Sequence, residues 1–481
     1  MNENNRLFTA CSLMVTEQCN LRCTYCFEKH KNKYMSLNTV KNSLDFLTLN
    51  AVKSTKLVDI TFFGGEPTMN PEAIIYAIEY SKELINQFNI NFHFNIITNC
   101  VNIPEKLEDY LMENFKNINM TIQLSIDGVK EVQDKYRITP NGKPSYHMVE
   151  KTIEKWKNIV RTKTDKIEEV INIHGCINKD TLPMLFTNFI HFIDVLGIDN
   201  LWFLPIAEEN WDKDDVKIYL EETTKIVNYI KNKANQLNDI SYLRRHAPFD
   251  RRNCNGGIFN KPCGAGDNYC SITSDGLIYP CHQFYFNDIH NELCLGDVFN
   301  KDINEHIRRF FIEYDGGDLS CKKDCKNGSC YRCIAANFTH NKSCIAQTKE
   351  HYCQLMSIDR IHQLDLKKME EEKMGLLNNN NNNYNQEQQN NMICSNHTSD
   401  TRYGCDVVYK KNQNNCDEDD CCKNNKSEDH VCNCNDEQNE HTCNCKNESN
   451  NDVLELLIKN QIEMGNLLNE VVNTLKKKRR W

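Results

Sequence analysis

Apolar and polar positions along the first 210 residues follow two alternating periods. Short runs rich in β-branched and aromatic residues predict strands: LFTACSLMV (7–15), KLVDITFF (56–63), NFHFNIIT (91–98), INMTIQLSI (118–126), EEVINIHGCI (168–177) and NLWFLPI (200–206). Between them, apolar residues recur every three or four positions over about 37–53, 71–88, 104–116, 146–162 and 181–196, which predicts helices. Pro71 and Pro104 fall at helix starts, where proline removes no intrahelical hydrogen bond. Strands alternating with helices build parallel βαβ units. Six of them predict an α/β fold, a partial (β/α)6 TIM-like barrel over 1–210, with its chemistry at the C-terminal ends of the strands.

Beyond the barrel the pattern changes three times. Residues 211–253 predict a helical linker, and 254–360 form a small cysteine-rich domain in which Ser274-Asp275-Gly276 marks a hairpin turn. Residues 361–452 carry an Asn/Gln tract and then a polar, cysteine-bearing stretch. Neither buries enough apolar surface to offset the entropy of ordering, so a disordered tail is expected. In 453–481 a helical apolar face returns (Leu454, Leu457, Ile458, Ile462) and ends in Lys476–Arg480, where the helix dipole favours cations. That face predicts a terminal amphipathic helix for self-association or docking; a membrane-surface role is disfavoured because the basic residues form an end cluster rather than a face.

Composition narrows the function. The 481 residues carry a net charge of -10, which argues against binding a nucleic-acid backbone. No run of 18 apolar residues predicts a membrane span, and the N-terminus lacks a basic segment followed by an apolar one. A cytoplasmic protein with no membrane or nucleic-acid partner is expected. There thiols stay reduced, so 26 cysteines point to metal or redox chemistry rather than disulfides.

Directly after the first strand, TEQCNLRCTYCFE sets Cys19, Cys23 and Cys26 in C-x3-C-x2-C spacing. Three thiolates suit an iron–sulfur cluster with one iron left open. A structural zinc site would be closed by a fourth ligand, and the nearest candidate is His30. The second strand ends in Gly64-Gly65-Glu66-Pro67, the third in Thr98-Asn99, and the fourth in Ser125-Ile126-Asp127-Gly128, followed by Asp134 and Arg137. Paired glycines admit a close backbone approach to a ligand, and a carboxylate at a strand end can accept from an ammonium group.

Together these motifs resemble the radical S-adenosylmethionine superfamily, in its branch of peptide maturases with a SPASM domain. The resemblance covers about 7–355. It implies a catalytic [4Fe-4S] cluster on Cys19, Cys23 and Cys26, whose open iron is chelated by S-adenosylmethionine, and reductive cleavage to a 5'-deoxyadenosyl radical. It places Tyr25 against the adenine and Gly64, Gly65 and Glu66 at the methionine amino group. Ser125 and Arg137 would contact the carboxylate or ribose, an Arg fork being suited to a carboxylate. It assigns no catalytic side chain.

The same resemblance extends to the cysteines after 254. Cys263, Gly276 and Cys281 are spaced C-x12-G-x4-C, and Cys321, Cys325, Cys330 and Cys333 lead on to Cys353. Two auxiliary [4Fe-4S] clusters are implied. Cys263, Cys281 and Cys333 would hold one, with Cys254 or a substrate thiolate as the fourth ligand. Cys321, Cys325, Cys330 and Cys353 would hold the other, with zinc as the alternative for this quartet. The later spacing departs from the family's by one residue at each step. Cys11, Cys100, Cys176, Cys270, Cys294 and Cys344 are read as small buried apolar residues, with Cys270 or Cys344 as an alternative cluster ligand. His282 replaces an aspartate that acts as base in the sulfatase-maturing branch.

The expected reaction is maturation of a ribosomally made Cys-rich peptide, by thioether crosslinking. Rivals are sulfatase-maturase-type oxidation of a protein Cys or Ser, epimerisation, and a non-enzymatic Fe–S scaffold. An electron donor such as flavodoxin or ferredoxin is implied. Only about 18 residues precede Cys19, so leader recognition is expected outside an N-terminal domain. The tail is read first as a metal-binding or tethering segment; an in-cis thioether substrate is the alternative, for which Cys416 with Asp420 and Cys432 with Asp436 have the required spacing, though acids are frequent enough here to give two such pairs by chance.

Overall fold

The computed structural model describes residues 7–245, 263–286, 290–313, 333–335 and 350–381. Six parallel strands form the core: β1 (Ala10–Thr16), β2 (Leu57–Gly64), β3 (Asn91–Thr98), β4 (Met120–Ser125), β5 (Ile171–Ile177) and β6 (Leu201–Pro205). Each falls within about three residues of its predicted run. Helices α1 (Leu37–Val52), α2 (Pro71–Phe88), α3 (Glu105–Asn114), α4 (Lys130–Tyr136) and α5 (Tyr146–Arg161) supply the crossovers. α2 begins as predicted at Pro71, and Asn70 caps it by accepting from the Ala73 N–H. The Asn70 amide also donates to the carbonyls of Val15 and Met35, which ties the helix start to the end of β1.

The strands' two faces differ. On one, Val58, Ile60, Phe62, Phe92, Phe94, Ile96, Ile122, Leu124, Ile171 and Ile173 are buried in one hydrophobic cluster with the helices. Phe62 and Phe94 stack with centroids 5.5 Å apart, worth about 0.5–1.5 kcal/mol beyond area burial. The other face is the inner wall of the partial barrel.

Three differences from the sequence reading have physical causes. The helix expected over 181–196 is broken into a 3-10 stretch (Lys179–Met184) holding Pro183, the short α6 (Leu185–Ile190) and a π-helical turn (His191–Val195). After the linker helices α7 (Lys213–Leu237) and α8 (Ser241–Arg245), the cysteine-rich segment does not form a separate sheet. β7 (Tyr269–Ile272) pairs parallel with β1, then β8 (Leu277–Tyr279) and β9 (Gly296–Asp297) follow antiparallel, giving the order β6-β5-β4-β3-β2-β1-β7-β8-β9. The turn between β7 and β8 is the predicted one, with Gly276 at φ +86°. Short helices α9 (His282–Tyr285) and α10 (Glu305–Glu313) flank this extension.

The third difference corrects the tail boundary. α11 runs over Glu350–Asn381, so the polar tail does not begin at 361. α11 buries Leu355, Ile358 and Leu366, and it meets α7 along a polar seam. Tyr219 donates to Asp359 (2.6 Å), Thr223 bonds His362 (3.0 Å), and Lys231 pairs with Asp365 (2.5 Å). The first two pairs are buried and interrupt the apolar face of α11 with polar residues; Lys231–Asp365 lies at the partly exposed margin. The Cys-rich part of the tail and the 453–481 helix lie outside the described residues. Among the described residues, no helix is long and apolar enough to cross a membrane.

Candidate active site

The C-terminal ends of β1 to β5 gather the motif residues. The loop after β1 carries Cys19 (buried), Cys23 (partly buried) and Cys26 (exposed). Burial raises all three thiols above their usual range; the neighbouring Glu66 adds to this at Cys19, Arg137 opposes it at Cys23, and Glu28 helps push Cys26 up to about 11. The Leu21 N–H and the Asn99 amide lie 3.4 and 3.7 Å from the Cys19 sulfur. No three His, Cys, Asp or Glu side chains among the described residues converge on a single metal ion. Thiolates of a cubane bind three different irons and stand further apart than ligands of one ion. A soft three-sulfur donor set with N–H groups aimed at sulfur fits an iron–sulfur cluster.

The glycine pair has a structural cause that sequence alone did not show. A Cβ on Gly64, at φ +121°, would lie 1.9 Å from the Thr16 carbonyl oxygen. A Cβ on Gly65 would lie 2.4 Å from the Gln18 oxygen and 3.0 Å from the Cys19 Cβ. The backbone that approaches here is the cysteine loop itself. Glu66 is 1% exposed. Its Oε1 accepts from the Thr68 N–H and hydroxyl (3.1 and 2.7 Å) and from the Thr98 hydroxyl (2.8 Å). Its Oε2 accepts from the Asn99 N–H at 2.7 Å. Burial raises its pKa and these donors lower it, so the carboxylate clamps the tips of β2 and β3 together.

Asp127 organises the opposite side, and sequence reasoning gave it no role. It is 2% exposed. Its Oδ2 accepts from the Tyr25 hydroxyl at 2.5 Å, and its Oδ1 accepts from Arg137 Nη2 and from the Cys176 N–H, both at 3.0 Å. Arg137 lies over the Tyr25 ring at 5.6 Å, with its Nε enclosed and unpartnered. Burial opposes the Arg137 charge, but Asp127 and Tyr25 outweigh that and hold its pKa up. Cys176, expected to be a plain buried residue, sits in this group; burial and Asp127 push it up to about 12. Ser125 is partly exposed on the inner wall, paired across the sheet with His174.

The cysteine loop is tied to the β7–β8 extension through Glu17. This buried carboxylate accepts from the Ser274 and Tyr285 hydroxyls, both at 2.8 Å, with Lys31 3.7 Å away. Behind the loop, burial and the carboxylates of Glu17 and Glu66 push Glu28 up to about 8. His282 packs between Phe27 and Phe63 at 5.7 and 4.3 Å; burial holds it down at about 4, and its Nδ1 is enclosed without a partner.

Of the second cysteine set, the structure brings Cys263, Cys281 and Cys333 into one cluster. Burial, then Cys333 and Cys263, raise the Cys281 thiol. Cys353 is partly buried at the start of α11. Cys254, Cys321, Cys325, Cys330 and Cys344 lie outside the described residues. Cys11, Cys100 and Cys270 are buried in the core, as expected.

Comparisons with known proteins agree with this arrangement. A family model described as the radical SAM superfamily matches residues 13–167. An uncharacterized protein of Methanocaldococcus jannaschii is 32% identical over 228 residues, covering 46% of this chain and 73% of that protein. A cysteine-type anaerobic sulfatase-maturating enzyme of Clostridium novyi is 26% identical over 362 residues, covering 68% of this chain and 86% of the enzyme. The solved structure of native anSMEcpe with bound AdoMet and Cp18Cys peptide shares the fold, with a TM-score of 0.57 at 20% identity, over 76% of this chain and 99% of that one.

Proposed function

Since the chain belongs to the radical SAM superfamily, we propose that it modifies a ribosomally made Cys-rich peptide, joining a cysteine sulfur to a carbon of the same peptide as a thioether. The carrying observation is the three-thiol loop at the mouth of the barrel, continuous through the sheet with a second gathering of thiols at Cys263, Cys281 and Cys333. When bound, S-adenosylmethionine and a [4Fe-4S] cluster supply one-electron sulfonium cleavage and hydrogen-atom abstraction.

This chain's residues provide the setting. Cys19, Cys23 and Cys26 hold the cluster, and the Leu21 N–H donates to the Cys19 sulfur. Tyr25, Gly64, Gly65, Glu66, Ser125 and Arg137 border the cofactor. Glu66 acts there by fixing the backbone of Thr68 and Asn99, since its own oxygens already take four protein donors. Arg137 keeps one enclosed N–H to offer, at Nε. Phe27, Phe63 and His282 form an aromatic cluster on the side facing the extension.

In this reading residues 1–210 are the radical core, 211–253 the linker and 254–360 the auxiliary-cluster region. Cys263, Cys281 and Cys333, with Cys254 or a substrate thiolate, hold one auxiliary cluster; Cys321, Cys325, Cys330 and Cys353 hold the second. The tail beyond α11 is a tether or in-cis substrate, and the 453–481 helix a self-association element. A flavodoxin or ferredoxin supplies the electron.

A second reading is supported by the Clostridium novyi relative: oxidation of a Cys or Ser in a protein substrate. His282, where that branch places an aspartate, weighs against it. Mass spectrometry separates the two after anaerobic turnover with reductant. Formation of 5'-deoxyadenosine with loss of two hydrogens per crosslink supports the thioether. Loss of sulfur or side-chain oxidation without a crosslink supports the rival, and absence of 5'-deoxyadenosine defeats both. Iron near roughly twelve per chain is expected for three cubanes, against roughly four for one.

A further inference from the structure

The Asp127 side of the proposed cofactor pocket rests on a bend that no strand holds. β4 ends at Ser125, and the Ile126 N–H still donates to the His174 carbonyl of β5 at 3.2 Å. From Asp127 onward the backbone leaves the sheet, and its N–H groups need other acceptors. Two side-chain amides supply them. Gln133 Oε1 accepts from the Asp127 N–H at 2.9 Å, and Asn188 Oδ1 accepts from the Val129 N–H at 3.0 Å. Gln133 is on α4 and Asn188 on α6, so two separate helices grip one short bend. Gly128, between the two bonds, admits the Asn188 side chain: a Cβ there would lie 2.2 Å from Asn188 Oδ1.

Gln133 holds both halves of the buried Asp127–Arg137 pair. Its side chain takes the Asp127 N–H, and its main-chain carbonyl takes the Arg137 N–H at 2.8 Å. Its own N–H returns to the Val129 carbonyl at 2.9 Å. The far end of α4 meets the cysteine loop. The Arg22 and Thr24 N–H groups, on either side of Cys23, donate to the Ile138 and Tyr136 carbonyls at 2.7 and 3.0 Å. Gln133 is 0% exposed, and its Nε2 has no partner among the described residues. An apolar side chain of the same volume would avoid the cost of that orphaned donor. The glutamine therefore suits its position through its acceptor, and that acceptor serves Asp127.

We propose that Gln133 and Asn188 are positioning residues: their side-chain oxygens fix the bend at 127–129, and through Asp127 they set the Arg137 guanidinium and the Tyr25 hydroxyl for S-adenosylmethionine. This rests on the placing of Tyr25 and Arg137 at the cofactor in the reading above and deepens it.

The test uses the full chain with its cluster reconstituted anaerobically, compared at equal iron per chain, and reads the Kd for S-adenosylmethionine by equilibrium dialysis without turnover. Wild-type binding reports on the cofactor reading itself; without it, that reading and the proposal both fall. Gln133→Met keeps the volume and removes the acceptor. Its Kd is expected to rise about tenfold, the order of one buried hydrogen bond. Asn188→Leu should do the same from α6, whereas Asn188→Asp, which keeps Oδ1, should bind as the wild type does. Should Gln133→Met not fold, the two Asn188 variants read the same clamp. In an Asp127→Ala background, Gln133→Met should weaken binding no further, because both changes act through one carboxylate. With wild-type binding intact, three results overturn the proposal alone: a wild-type Kd in Gln133→Met or Asn188→Leu, an Asn188→Asp protein that binds as poorly as Asn188→Leu, or a Gln133→Met change that multiplies the loss already made by Asp127→Ala.

Discussion

Removing the Asp127 carboxylate should unlock one side of the proposed cofactor pocket. The carboxylate is buried and receives Arg137, Tyr25 and the Cys176 N–H within 3.0 Å. Asp127→Ala leaves the Arg137 guanidinium, whose side chain is 8% exposed, without its counter-charge. Breaking a buried pair by removing one partner costs about 3–5 kcal/mol. For a domain of this size each kcal/mol moves Tm by about 2–4 °C, so a fall of roughly 6–20 °C is expected. The double variant Asp127→Ala/Arg137→Met removes the stranded charge as well. Its fall should be clearly smaller than the sum of the two single falls, because the two sites share one interaction. Differential scanning calorimetry of the cluster-loaded protein reads all three. The reasoning fails if Asp127→Ala shifts Tm by less than about 2 °C, or if the single effects add. Binding supplies a second readout: with Tyr25 and Arg137 both released, the Kd for S-adenosylmethionine should rise at least tenfold, whereas a purely structural role leaves it in place at temperatures where the variant is folded.

Other outcomes follow from the same geometry. Gly65→Ala drives a methyl group into the Gln18 carbonyl and the Cys19 Cβ; an overpacking strain of about 1–3 kcal/mol should displace the loop and lower iron per chain, read by colorimetric iron assay against wild type. At the α7–α11 seam, burial holds His362 down at about 4, against a usual value near 6.5. The unfolded chain therefore binds the proton first, so this stability is complete above about 6.5 and is lost as pH falls toward 4, by roughly 3 kcal/mol. A His362→Gln variant should flatten urea midpoints across that window; an unaltered slope would show that other groups set the acid limb. Glu17→Ala deprives Ser274 and Tyr285 of their shared acceptor, so proteolysis of the β7–β8 extension should quicken. A rate equal to wild type would remove Glu17 as the tie.

The parts of this molecule legible in sequence are those whose signal is local. All six barrel strands and the start of α2 at Pro71 follow from periodicity and helix-start chemistry within a short window. α4 escaped notice because seven residues do not establish a 3.6-residue period. α11 escaped because its buried face is interrupted by Asp359 and His362, which a hydrophobicity pattern scores as surface. The site divides in the same way. The cysteine spacing is contiguous in the chain and reads directly. Asp127 sits in a visible motif, but its three partners come from positions 25, 137 and 176, which only folding brings together. The glycine pair was visible, and its cause was not, since the obstructing atoms belong to a loop 45 or more residues earlier.

The parallel seam between β1 and β7 has a consequence for how the protein is made. β1 is buried along its whole length and is complete by Thr16, but its second neighbour does not begin until Tyr269. At about 5–20 residues per second, the ribosome needs roughly 12–50 s to deliver it. During that interval one margin of an apolar strand offers unpaired N–H and C=O groups, the template that invites pairing with another chain. The nascent barrel is thus completed by a segment from beyond its own boundary. Slow translation of the intervening stretch, or a break in synthesis before Ile272, would leave a product with a finished helical exterior and an adhesive edge.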